Sequence, residues 1–193
     1  MIYYLPITIL LLALSFVFQE FMPPIEWAYY ARPLLIHATF FCLAVTVPYP
    51  AMLGLAFLGG YVYDARYHVA IQNTAGESTT ELAFGLTILL FALMGSFIQG
   101  VRPLFRRGRW ELPVLMVGIC TMVTLTFEYS IISFRRGGLD LSPEIWFKML
   151  MSSLFSMIGA PILLILLTTI AKATGYRIKL QGISRNYNYG NSL

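Results

Sequence analysis

Residues 33–66 read PLLIHATFFCLAVTVPYPAMLGLAFLGGYVYDAR, and the way this stretch divides decides the fold. Residues 33–63 contain no Asp, Glu, Lys or Arg. About 18 apolar residues are enough to cross the roughly 30 Å hydrocarbon core of a bilayer as a helix. The stretch 34–65 is therefore too long for one ordinary span and short for two. Pro48-Tyr49-Pro50 punctuates its middle, and a residue before proline is pushed out of helical geometry. The reading is two short helices, 34–47 and 49–65, joined by a tight turn. At about 1.5 Å per residue each covers only roughly 20–25 Å. Such helices are expected to thin the bilayer locally or to stop short of one interface.

Working outward, residues 1–19, 82–101, 112–127 and 149–171 are also free of charge. The expected spans are 2–21, 34–47, 49–65, 82–101, 112–134 and 148–171, followed by a polar tail, 172–193. The fold class is an all-α polytopic membrane bundle of about six transmembrane helices. Of 193 residues, 58% are hydrophobic and 11% charged, against roughly 25% charged in a soluble domain. No room is left for a soluble catalytic domain beside the spans. The net charge of +4 sits in short loops, where it sets topology; it does not point to nucleic acid.

The N-terminus lacks a basic region and a small-x-small cleavage site before Glu20, so it reads as a retained first span and not a cleaved signal. Pro23-Pro24 ends that span. Trp27, Tyr29 and Tyr30 follow, the amphipathic aromatics of a membrane–water interface. The longest polar loop is 66–81. With six spans and both termini cytoplasmic, Arg102, Arg106, Arg107, Arg109, Lys172, Arg177, Lys179 and Arg185 lie inside; Arg32, Arg66, Arg135, Arg136 and Lys148 lie outside. This bias agrees with the positive-inside rule. Five spans with the N-terminus outside satisfy it too; the proline turn and the length of 34–65 favour six.

Ionisable groups at membrane depth are costly and call for a functional hypothesis. Glu128, in Thr124-Leu125-Thr126-Phe127-Glu128-Tyr129, is the clearest. It reads as a proton carrier, a ligand carboxylate or a partner of a basic group, or more plainly as an interfacial residue bonded to a Tyr or Ser. His37 reads as an interfacial histidine satisfied near the outer end of its span. Asp64 closes Gly54-Leu55-Ala56-Phe57-Leu58-Gly59-Gly60-Tyr61-Val62-Tyr63-Asp64 where the helix leaves the membrane, and reads as structural, capping the following turn or holding Arg66 or another loop. Small residues recur at four-residue spacing as Ala56/Gly60, Ala92/Ser96/Gly100 and Ser152/Ser156/Ala160. Stripes of this kind let helices approach closely in lipid. Pro161 is expected to kink the last span. Cys42 and Cys120 read as small buried hydrophobes. There is no phosphate loop, no His-Glu-x-x-His and no Gly-x-Ser-x-Gly, and Asp64 and Asp140, the two aspartates, lie in separate loops. No cofactor, metal or catalytic residue is expected, and a membrane enzyme is the weakest reading.

From Gly59-Gly60-Tyr61-Val62-Tyr63-Asp64 onward the layout resembles the rod shape-determining protein MreD family of bacterial inner-membrane proteins. Members have an early short helix ending in a Gly-Leu-x-x-Asp-like exit; Tyr61 stands here where Leu is usual. Gly95-Ser96-Phe97-Ile98-Gln99-Gly100-Val101-Arg102-Pro103-Leu104-Phe105-Arg106-Arg107 is similar to the family's glycine-containing helix and basic cytoplasmic turn. Ala160-Pro161-Ile162-Leu163-Leu164-Ile165-Leu166-Leu167 is similar to its final small-Pro-aliphatic helix. The resemblance implies a non-catalytic scaffold of the lateral wall-elongation machinery in the inner membrane. The partners it implies are membrane lipid, the single-span protein MreC and, indirectly, the MreB filament, the RodA polymerase and a class B penicillin-binding protein. Gly54, Ala56, Gly59, Gly60, Asp64, Ser96, Gly100 and Pro161 are the candidate packing or partner-binding residues. Arg102, Arg106, Arg107 and Arg109 form a candidate basic cytoplasmic edge.

A second reading is a small-molecule-binding subunit similar to the S components of vitamin transporters, which have a similar length and about six spans. Glu128, His37, Asp64, Trp27 and the 66–81 loop would converge on its ligand near the outer face.

Overall fold

The computed structural model describes residues 3–67, 70–72, 78–80, 84–107, 111–135, 138 and 142–178. Six α-helices account for most of them: α1 (Tyr4–Phe21), α2 (Leu35–Thr46), α3 (Tyr49–Arg66), α4 (Leu86–Val101), α5 (Glu111–Arg135) and α6 (Pro143–Ala173). Short 3-10 turns cover Glu26–Ala28 and Arg102–Arg107. The long polar loop carries an antiparallel hairpin of β1 (Ala70–Gln72) and β2 (Ser78–Thr80). The turn at Pro48 is where the sequence places it: α2 ends at Thr46 and α3 begins at Tyr49 with Pro50 in its first turn, where a missing N–H costs nothing.

All six helices run between the same two ends of the bundle. At one end Gln19 meets the start of α2, Glu20 meets Arg66, and Asp64 meets Gly85. At the other, Tyr4 stacks on Tyr176 and Arg102 meets the end of α2. Helix α3 pairs with α4, and α5 with α6. Helix α2 touches all five others.

Four helices are long and apolar enough to cross a membrane: α1, α4 with its following turn, α5 and α6. The buried faces agree with that setting. In α1 the inward stripe is Tyr4, Thr8, Leu12, Ser15 and Gln19, while Ile9, Leu10, Leu14, Val17 and Phe18 point outward. In α6 Ser152, Ser153 and Ser156 face in, and Ile158, Ile162 and Ile165 face out. A water-soluble bundle has the reverse pattern. In lipid, polar side chains gather between helices and aliphatic ones face the hydrocarbon.

Helix α2 departs from expectation. Every residue from Ile36 to Thr46 is buried. Its 12 residues cover about 18 Å. It needs no thinned bilayer, because longer helices and not lipid surround it. A helix apolar on every side is a core helix or a membrane span, and sequence alone does not separate the two.

Small residues make the close α3–α4 seam. A Cβ built at Gly60 would sit 2.5 Å from the Ile88 Cα and 2.6 Å from its N. Ala56 is fully buried, and at Gly59 a Cβ would meet Leu12 and Phe91 at ordinary to tight contact. Ser96 donates to the Ala92 carbonyl at 2.6 Å and lies 3.4 Å from the Tyr49 hydroxyl. These residues join helices of this chain to each other. At Gly54 and Gly100, by contrast, a Cβ would have nothing within 4 Å, so the expectation that they mediate close packing within the bundle is corrected. Pro161 is exposed and α6 continues through it.

Candidate functional site

An α-helix leaves its last four carbonyls without intrahelical donors. In the core of a membrane bundle water cannot supply them. At the end of α2 each one has a partner. The Leu43 carbonyl accepts from Val47 N at 2.9 Å and from the Thr46 hydroxyl at 3.1 Å. Gln99 Nε2 donates to Ala44 O at 2.7 Å and to Val47 O at 2.9 Å. Arg102 Nε donates to Val45 O at 2.6 Å, and its Nη1 to Gln99 Oε1 at 2.8 Å. Tyr176 closes the set by donating to Thr46 O at 3.4 Å. The positive guanidinium also faces the negative end of the α2 dipole.

Arg102 is therefore corrected from its expected place on an exposed basic edge: it is 3% exposed. Arg106 and Arg107 end the same 3-10 turn, and Arg109 lies outside the described residues. Gln99 was not singled out in the sequence. The signal was there, because Gln99 and Arg102 are three apart and share a helix face. Outside the spans, burial pushes the Tyr176 phenol above its ordinary range, with Arg102 opposing.

The start of α2 is held in the same way. Leu35 N donates to Gln19 Oε1 at 2.6 Å, and Gln19 Nε2 donates to Pro33 O at 2.9 Å. Leu34 N donates to Ser156 Oγ at 3.2 Å. Midway, the Cys42 thiol points to the Ala160 carbonyl at 3.8 Å. Cys42 and Cys120 are free and buried, as expected.

Other buried polar side chains have atoms without partners. His37 is fully buried and, contrary to the expectation of a satisfied histidine, neither ring nitrogen has a partner. Tyr63 and Phe91 stand edge-on to it, with ring centroids 5.3 and 5.1 Å away. Thr87, also fully buried, has an unpartnered hydroxyl. Glu128 is 9% exposed and its Oε1 is unpartnered. Tyr63, Asp64 and Glu128 are close enough to interact electrostatically. The structure thus sets His37 against Tyr63, the neighbour of Asp64 in α3, and buries Thr87 and Glu128 with unpartnered oxygens; Tyr63 and Thr87 were missed in the sequence. Thr87 is one of many threonines in apolar helices, and no local signal marks it.

Asp64 itself is structural in part. Its Oδ2 accepts from Gly85 N at 2.8 Å. Gly85 has φ 95°, a left-handed value open to glycine, at the start of α4. Asp64→Ala is expected to lower stability by about 2 kcal/mol, the cost of a buried charge-assisted bond, read as an earlier thermal unfolding midpoint in detergent. Above this group Glu20 Oε1 accepts from Arg66 Nε at 3.1 Å and from the Tyr67 hydroxyl at 3.2 Å. Burial and the Glu20 carboxylate push the Tyr67 phenol upward. The Glu20–Arg66 pair is exposed and is worth at most about 1 kcal/mol.

Trp27, Tyr29 and Tyr30 are exposed at this end, where interfacial aromatics belong. Tyr29 stacks on Phe147 and Trp27 meets Phe155 edge-on, pinning the 22–34 connection to α6.

The chain matches no protein-family model, no curated protein and no solved structure.

Proposed function

We propose that this chain is a non-catalytic scaffold of the bacterial cell-wall elongation machinery, set in the inner membrane with both termini cytoplasmic. The observation that carries the reading is where the polar side chains are used. Gln19, Ser156, Gln99, Arg102 and Asp64 all bond backbone groups of neighbouring segments. They make a rigid body whose outward faces are aliphatic and aromatic. A rigid apolar surface is what a single-span partner packs against in lipid. The resemblance to the MreD family names that partner as an MreC-like protein, with MreB, RodA and the class B penicillin-binding protein reached through it. Arg106, Arg107 and Arg109 supply a basic edge for anionic lipid.

The test is co-purification of the tagged chain with the MreC protein of the same source. A complex of fixed stoichiometry through size exclusion supports the scaffold. A well-folded chain eluting alone contradicts it. Gly60→Leu and Ser96→Leu do not report on that interface, because both side chains lie in the α3–α4 seam.

One observation favours a second reading, a small-molecule-binding subunit. His37, Thr87 and Glu128 each bury a polar atom that has no partner within the chain. Saturable thermal stabilisation by one small molecule is its signature.

A further inference from the structure

Helix α6 ends in a Schellman turn. Gly175, at φ 66°, donates to Lys172 O at 3.2 Å, and Tyr176 N donates to Ala171 O at 2.8 Å. The turn sends residues 175–178 back across the end of the bundle. Their exposure alternates: Tyr176 and Ile178 are partly buried against the core, while Gly175 and Arg177 face out. The Tyr176 ring stacks on Tyr4, with centroids 4.3 Å apart and planes 12° from parallel. Its hydroxyl donates to Thr46 O, the carbonyl next to the one that Arg102 Nε reaches. Beneath this segment Tyr4 is 1% exposed and Arg102 is 3% exposed. The guanidinium is nonetheless not satisfied. Nε and Nη1 are used on Val45 O and Gln99 Oε1, whereas Nη2 is buried without a partner. Among the described residues no carboxylate lies within ion-pair reach of it. A buried positive charge without an acid is costly, and the α2 dipole offers only a partial counter-charge. The free Nη2 calls for an anion, and the planar fork of arginine suits phosphate.

We propose that residues 175–178 form a strap closed over Arg102, and that the strap opens when Nη2 takes the phosphate of an anionic lipid. Position selects the lipid. Tyr4 opens the first span, Arg102 lies in the last turn of the span Leu86–Phe105, and Ala173 closes the last span. Three spans thus reach headgroup level together at this end. Lys172 and Arg177 are exposed there, and basic side chains at this level draw anionic lipid. In the open state Nε and Nη1 keep Val45 O and Gln99 Oε1, so the clamp on α2 persists. What is given up is one ring stack, one hydrogen bond at 3.4 Å and the partial burial of two side chains. A charge-assisted bond to phosphate is strong enough to offset so light a hold. The inference goes beyond the scaffold reading and does not depend on it.

The test uses the full chain carrying Ile178→Cys, reconstituted in vesicles and treated with N-ethylmaleimide. Cys42 and Cys120 are buried and give a slow background. The vesicles are phosphatidylcholine alone, phosphatidylcholine with an equal part of phosphatidylglycerol, and phosphatidylcholine with inorganic phosphate on both sides. Labelling at position 178 is expected to be at least about fivefold faster with phosphatidylglycerol than without it, and unchanged by inorganic phosphate. Arg102→Met is expected to abolish the lipid dependence. If Arg102→Met does not fold, Tyr176→Ala replaces it: the strap loses its hold, and labelling is expected to be fast in every vesicle. Equal labelling of the parent in all three vesicles overturns the proposal. So does a lipid dependence that survives Arg102→Met, or slow labelling of Tyr176→Ala in phosphatidylcholine. Acceleration by inorganic phosphate overturns the lipid as the source and keeps Arg102 as a phosphate site under the strap.

Discussion

Gln99→Leu is expected to lower the thermal unfolding midpoint sharply, by a stability loss of about 3–5 kcal/mol. The substitution keeps volume and removes three hydrogen bonds at once. Ala44 O and Val47 O lose their donor, and Arg102 Nη1 loses its acceptor. The last loss is the gravest, because it leaves a buried guanidinium short of a partner. Arg102→Met is expected to cost less, about 2 kcal/mol. It orphans the Val45 carbonyl and Gln99 Oε1 but also removes the buried charge. The double variant is then expected to be less destabilised than the sum of the two singles, since neither residue retains a bond to the other. Unfolding midpoints of the four proteins in one detergent check this. Additive losses would mean that the two side chains act separately on α2.

The second large effect is at Gly60, with Gly54 and Gly100 as internal controls. Gly60→Ala is expected to lose about 2 kcal/mol or more, although alanine is the better helix former by about 1 kcal/mol. The new carbon would overlap the Ile88 backbone at 2.5–2.6 Å, and a backbone cannot rotate aside. Helices α3 and α4 would have to part along their length. At Gly54 and Gly100 nothing lies within 4 Å, so the same change is expected to raise stability by up to about 1 kcal/mol. A rise at all three positions would show that the α3–α4 seam is looser than described.

These three glycines also show what was legible in the chain. All sit in apolar runs and all were candidate packing residues, yet one is sealed against a backbone and two are open. Spacing places a residue on a helix face; it does not say what that face meets. The helix count and the turn at Pro48 were legible, because proline geometry acts locally. The enclosure of α2 was not. A uniformly apolar helix looks the same whether lipid or protein surrounds it, and its clamps come from Gln19 on α1 and from Gln99 and Arg102 at the end of α4. Arg102 looked like one member of a basic loop because its neighbours in sequence are Arg106, Arg107 and Arg109. Its fate is set by the carbonyls it reaches across the bundle. Among the buried polar residues, the ionisable His37, Asp64 and Glu128 stood out in the sequence, and Thr87 did not.

The bundle is organised around α2, a half-length helix enclosed by the five others and clamped at both ends. Footprinting with a photoactivatable diazirine lipid in bilayers tests this most directly. The expected result is labelling of the outward residues Phe57 on α3, Phe97 on α4 and Ile162 on α6, all exposed, with residues 35–46 unlabelled. Labelling of α2 at the level of α1 would place it against lipid, and would contradict both its enclosure and the clamps that hold it.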